Sequence, residues 1–260
     1  MSGGMLDRIA ARCRERLLAT KRRESAAAVS RRAEEAPPPL DFLAPLRRAD
    51  RLNVIAEFKP ASPSRGSIRP GADVAALARE YERGGASAMS VLTEPDFFGS
   101  GLDRLEAARR ACRLPLLRKD FLTDVYQVDE ARAAGADAVL LIVSLLDDAA
   151  LRDLHDAARG RKMEALVEVH DEHEVERGLS AGARLVGVNQ RDLRDLSMDR
   201  GLVQRLMPRL PKEVTVVAES GLGARESLEE LRAAGCHAFL IGSHLMAASS
   251  PSAALRELLG

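Results

Sequence analysis

From Asn53 onward the chain alternates short apolar runs with longer amphipathic ones. The apolar runs begin near residues 54, 88, 115, 138, 164, 185, 214 and 238, and each is followed by a polar loop and a helical pattern. Four of the units echo one another: ERGGASAMSVLT, ARAAGADAVLLIV, GLSAGARLVGVNQ and LRAAGCHAFLIGS. In each, a glycine (Gly85, Gly135, Gly182, Gly235) stands where a helix needs a left-handed cap before the next strand begins. Eight such units predict an α/β fold, a (β/α)8 TIM barrel over residues 51–260, in preference to an open doubly wound sheet. The open sheet lacks support because no GxGxxG follows the first strand.

Residues 1–50 carry a different pattern. Leu6, Ile9, Cys13 (or Ala10) and Leu17 recur at helical spacing against an arginine-rich face, which predicts one amphipathic helix over 6–24. A charged, alanine-rich stretch then leads to Pro37–Pro39 and to Leu40, Phe42, Leu43 and Leu46, an irregular apolar segment that must pack against something. These residues read as an N-terminal extension packed on the barrel.

Composition narrows the partners. The chain has 39 basic and 39 acidic residues among 260, so no field of one sign holds it on nucleic acid or an anionic membrane. A small-molecule partner is expected. Cys13, Cys112 and Cys236 are odd in number and lack CxxC spacing, which predicts neither a disulfide framework nor a zinc site and fits a cytoplasmic protein. No apolar run approaches the roughly 20 residues that span a bilayer. A monomer is the expectation for the oligomeric state. His170 and His173 are three apart but lack a third ligand nearby and read as solvated; His237 and His244 read as incidental, and Met198, Met207 and Met246 as core fillers.

Lysine occurs only at positions 21, 59, 119, 162 and 212; arginine meets the rest of the demand for positive charge. Arginine cannot release a proton in the working pH range, whereas a desolvated lysine can. Lys21, Lys162 and Lys212 fall in helical or turn contexts, but Lys59 and Lys119 each end an apolar strand. In a barrel of this type, reactive side chains gather at the C-terminal strand ends. Those ends carry Glu57 and Lys59, Thr93 and Glu94, Lys119 and Asp120, Ser144, Glu168, Asn189 and Arg191, Glu219 and Ser220, and Gly242 with Ser243. The bias toward carboxylate, lysine and amide points to proton transfer. After the seventh and eighth strands, Gly221, Gly223 and Gly242 let backbone amides approach a ligand, as a phosphate cradle requires.

The motifs AEFKPASPSRG (56–66), VLTEPDFFGS (91–100), LLRKDF (116–121), ALVEVHDE (165–172), GVNQRDL (187–193), VAESG (217–221) and FLIGS (239–243) fall in order on successive strand ends. With the N-terminal helix, they make nearly the whole chain resemble indole-3-glycerol-phosphate synthase, a lyase of tryptophan biosynthesis. The resemblance implies that 1-(2-carboxyphenylamino)-1-deoxyribulose 5-phosphate is converted to indole-3-glycerol phosphate by ring closure, decarboxylation and dehydration, with no cofactor and no metal. It further implies Lys119 as the general acid on the substrate ketone, and Glu168 with Lys59 in the later proton transfers, where Lys59 also meets the anthranilate carboxylate and Glu57 keeps it charged. Asn189 and Ser220 would position the substrate, supported by Glu219 and Arg191. Ser62, Gly221, Gly242 and Ser243 would hold the phosphate, and Pro63, Phe98, Phe121 and Leu193 would line the anthranilate pocket. Pro60 departs from the family, standing where a basic residue is common, so long-range attraction for the anionic substrate is expected to be weaker.

Two alternatives stand beside this reading: another phosphate-binding barrel, such as a phosphoribosyl isomerase or a Schiff-base aldolase, and a barrel kept as a binding partner without catalysis. An aldolase needs a lysine in an apolar setting, whereas Lys59 and Lys119 each lie near a carboxylate in sequence.

Overall fold

The computed structural model describes residues 4–193 and 195–260. Eight parallel strands close into a barrel: β1 (Val54–Phe58), β2 (Ala88–Leu92), β3 (Leu116–Lys119), β4 (Ala138–Ile142), β5 (Glu164–Val169), β6 (Leu185–Asn189), β7 (Thr215–Glu219) and β8 (Ala238–Ile241). Each strand pairs with its sequence neighbours, and β8 returns to β1 through Val54 opposite Phe239. The strand starts fall within one residue of those predicted. Gly85, Gly135, Gly182 and Gly235 all have φ between 91° and 110°, the left-handed conformation that closes each helix and turns the chain into the next strand.

The period-two alternation of a strand sorts its side chains into two cores. Val54, Ala56 and Phe58 of β1, Val167 and Val169 of β5, and Val186 and Val188 of β6 pack outward beneath the helices. Ile55, Leu117, Leu166, Leu185, Val217 and Leu240 point into the lumen and fill it. Two residues further along the inward register come Glu57, Lys119, Glu168, Gly187, Glu219 and Gly242. Apolar lumen residues thus form the base on which the polar residues stand at the C-terminal mouth.

The N-terminal extension touches both ends of this barrel. Helix α1 (Met5–Arg23) buries Leu6, Ile9, Ala10 and Cys13 against the mouth. Its far face is pinned by Arg16, which lies 2.6 Å from Glu94 and also pairs with Asp96, and by Lys21, 2.7 Å from Asp124. The alanine-rich stretch after it, whose pattern predicts no regular element, folds as a second helix, α2 (Ala26–Glu35), started by Ser25 accepting from the Ala28 N–H. It descends along the helix Val125–Ala133, and Arg161 holds it through Ser30 at 2.6 Å. The apolar segment then crosses the opposite end. The Leu40 N–H donates to Asp137 at 2.7 Å, Asn53 donates to the Leu46 carbonyl at 2.9 Å, and Phe42 and Leu46 are fully buried beneath the lumen residues.

Candidate active site

A cavity of about 650 Å³ opens at the C-terminal mouth. Glu57, Lys59, Ser62, Pro63, Phe98, Lys119, Phe121, Glu168, Asn189, Arg191, Leu193, Glu219, Ser220, Gly221, Gly242 and Ser243 all line it. Every residue that the family resemblance assigns to the site is therefore brought to one space, from seven of the eight strand ends and their loops, whereas the strand-end candidates Thr93, Glu94 and Ser144 lie outside it.

The centre of the cavity holds two amines and three carboxyl groups. Lys59 Nζ lies 2.7 Å from Glu57 Oε1, an ion pair two residues apart on one strand face. Lys119 Nζ lies 3.2 Å from Glu168 Oε2 and 3.4 Å from Glu219 Oε2. Burial alone would push the Lys119 ammonium down, but Glu168, Glu219 and Glu57 together hold it above its ordinary value. Burial would likewise raise Glu168; the Lys119 ammonium, then His170, hold it below its ordinary value. Glu219 goes the other way: burial, only partly offset by Lys119 and reinforced by Glu168, pushes it up to about 8. Two neighbouring carboxyl groups are thus separated into an ionised one and a protonated one, as like charges at close range require.

Space for these side chains comes from glycine. A Cβ at Gly187 would overlap Glu219 Oε1, and one at Gly242 would overlap Glu57 Oε1 and stand 3.1 Å from Lys59 Nζ. On the far side, the Ser220 hydroxyl donates to Asn189 Oδ1 at 2.7 Å, which also accepts from the Arg191 N–H at 3.1 Å. With its oxygen so occupied, the Asn189 amide is free to turn toward Glu168, and it helps to hold that carboxyl group below its ordinary value. Ser220 has φ of 66°, a left-handed conformation uncommon outside glycine and sustained here by its hydrogen bond and by Gln190, which donates to its carbonyl at 2.9 Å.

The cavity is sided. Ser62 accepts from the Arg65 N–H at 3.3 Å and shares the mouth with Gly221, Gly223, Gly242 and Ser243, the last of which begins the short helix Ser243–Ala247. Opposite, Phe98 and Phe121 stand with ring centroids 6.0 Å apart and Leu193 completes an apolar wall. Arg191 is lowered by burial and by the facing Arg65, so two guanidinium groups meet at the mouth, and Arg200 lines it as well. That is a place for an anion.

Some expectations fail. His170 is not solvated: its side chain is buried, with Nδ1 3.1 Å from Glu174 and Nε2 3.7 Å from Glu168. The preceding strand carries it inward in register with Glu168. His173 is exposed, as expected. Met198 is half-buried and lines the cavity instead of filling the core, because the loop after β6 folds back over the mouth; His244 lines it too. Ser144 is exposed, and Glu94 is spent on Arg16 and on capping Pro95–Phe98. Met5 and Ile9 of α1 line the cavity, as does Leu222. Among the described residues, no group of three or more His, Cys, Asp or Glu side chains is placed to hold a metal ion.

A closed (β/α)8 barrel with amines and carboxyl groups gathered in a cavity at its C-terminal mouth is the architecture of a barrel enzyme acting on a small molecule. The family profile described as Indole-3-glycerol phosphate synthase matches residues 6–258. An indole-3-glycerol phosphate synthase 2 of Streptomyces coelicolor is 51% identical over 88% of both chains, and an indole-3-glycerol phosphate synthase of Mycolicibacterium gilvum is 46% identical over 99% of this chain and 94% of that one. The chain belongs to the indole-3-glycerol phosphate synthase family, carboxy-lyases of tryptophan biosynthesis. Among solved structures, KGPDC from Streptococcus mutans matches with a TM-score of 0.62 at 16% identity, over 80% of this chain and 95% of that one, a likeness of fold alone.

Proposed function

We propose that this cavity binds 1-(2-carboxyphenylamino)-1-deoxyribulose 5-phosphate with its phosphate on Ser62, Gly221, Gly242 and Ser243 and its aromatic ring between Phe98, Phe121, Pro63 and Leu193. The observation that carries the proposal is the position of Lys119 between Glu168 and Glu219. The ring carbon bearing the carboxylate attacks the ketone carbon, and the carbonyl π electrons move to oxygen. Lys119 stabilises that oxygen and gives it a proton. Loss of carbon dioxide returns the C–C electron pair to the ring. The new hydroxyl then leaves as water with a proton from an acid, while a base removes a proton from the adjacent methylene. Glu168 and Lys59 serve these later transfers, and Lys59, ion-paired with Glu57 at 2.7 Å, meets the anthranilate carboxylate. Glu219, protonated near neutrality, returns a proton to the neutral Lys119 amine.

Asn189 and Ser220 orient the substrate, with Arg191 at the carboxylate side. Arg65 and Arg200 at the same mouth offset part of the attraction lost at Pro60. Residues 1–50 form a unit packed on the 51–260 barrel, and the protein works as a cytoplasmic monomer; among the described residues no helix is long and apolar enough to cross a membrane. The test is indole fluorescence on mixing purified protein with the carboxyphenylamino substrate. Its absence, with borohydride trapping of a phosphorylated ketose on Lys59 or Lys119, would favour an aldolase instead.

A further inference from the structure

His170 stands outside the cavity wall but against its catalytic carboxylate. Glu168 and His170 are two apart on one strand and its extension, so both point inward. Glu174, in the first turn of the helix Glu172–Ser180, reaches back to accept from the His170 backbone N–H at 2.7 Å and lies 3.1 Å from its Nδ1. That contact fixes the ring and makes Nδ1 a donor. A histidine buried only to pack would have both ring nitrogens satisfied. Here Nε2 and Glu168 Oε1 are both buried without a hydrogen-bond partner, and they face each other at 3.7 Å. Closing the gap by about half an ångström would make a charge-assisted hydrogen bond.

We infer that His170 is a positioning residue for Glu168: anchored by Glu174, its imidazolium turns Nε2–H toward Glu168 Oε1, holds that carboxylate ionised, and leaves Oε2 aimed at Lys119. The groups facing the imidazole are Glu168 from β5, Glu174 from the following helix and Glu219 from β7, all carboxyl groups. Burial by itself lowers the imidazole; Glu174 and then Glu168 outweigh it and hold the ring above its ordinary value. It rests on the proposed role of Glu168 as the ionised partner in proton transfer.

The experiment compares pH profiles of kcat/KM for the parent, His170→Asn and His170→Gln, after thermal melts establish folding. Loss of the imidazolium should move the acidic limb upward by about one unit in both variants, with kcat falling more than KM rises. An acidic limb that stays in place in both overturns the inference. A second readout uses the parent protein itself: the ring nitrogens of His170, followed by NMR, should titrate above the ordinary histidine value, and the midpoint should fall in Glu168→Gln. A ring titrating at the ordinary value in both proteins overturns it even if the His170 variants do not fold. Glu168→Gln also separates the two levels. If it turns over like the parent, the role assigned to Glu168 is wrong; if it is inactive while His170 behaves ordinarily, only the role of His170 is.

Discussion

Glu219 Oε1 lies so close over Gly187, on the neighbouring strand, that a Cβ there would overlap it. The two face each other because both are inward residues of adjacent strands, with Gly187 paired to Val217 two residues before Glu219. A fully buried carboxyl thus crosses the barrel over the one residue type that leaves it room. Gly187→Ala should displace Glu219 from Lys119, lowering kcat by about tenfold or more and destabilising the fold by about 1–3 kcal/mol. Turnover and melting temperature equal to the parent's would show that the lumen has slack the packing does not reveal.

Lys119→Arg keeps the positive charge against Glu168 and Glu219 but removes a proton that can be given away. Substrate binding by equilibrium titration should change little, while turnover falls by about 10²–10⁴. Turnover within a few-fold of the parent would exclude Lys119 as the acid.

The carboxyl groups set a pH dependence of stability with a definite sign. Glu219, pushed up to about 8 chiefly by burial, keeps in the folded state a proton that the unfolded chain releases above its ordinary 4.5. Its contribution is complete below 4.5 and is lost as pH rises through about 8. Glu168, held below its ordinary 4.5 by Lys119 against the effect of burial, acts oppositely: its contribution is present above 4.5 and is lost as pH falls through its lowered value. Thermal melts should therefore show the midpoint falling from about pH 5 to about pH 9, with a smaller fall in Glu219→Gln. Parallel curves for the two proteins would place the proton elsewhere.

The two ends of the extension should separate on truncation. Removing residues 1–24 takes away α1 and its Leu6, Ile9 and Cys13 contacts at the mouth, and should leave a folded barrel with a raised KM. Removing residues 1–50 also uncovers the floor that Phe42 and Leu46 close. Loss of a buried aromatic side chain alone costs about 3–5 kcal/mol, so this shorter chain should lose cooperative unfolding in denaturant titrations. A cooperative transition like the parent's would mean the floor is self-sufficient.

What is legible in the residues and what waits for the fold differ in the reach of the forces involved. Hydrophobic period, glycine caps and strand-end chemistry are local, so the sequence alone determined eight strands within a residue of their places and many of the strand-end residues that line the mouth, but not Met5, Ile9, Met198, Leu222 or His244. Cross-barrel relations are another matter. The sequence said that Lys119, Glu168 and Glu219 end their strands, but which carboxyl group keeps a proton depends on burial and on the 3.2 and 3.4 Å contacts made when the sheet closes. Gly187 was open to inspection as an inward residue of β6, yet its purpose lies in a side chain from β7. His170 read as solvated because the motif VEVH does not display Glu174 folding back from the next helix to bury it. The two ends served by residues 1–50 were likewise hidden, since an amphipathic face announces only that it will be covered. Local pattern fixes which side a residue faces; closure of the barrel alone decides what it meets there, because those partners lie tens of residues away along the chain.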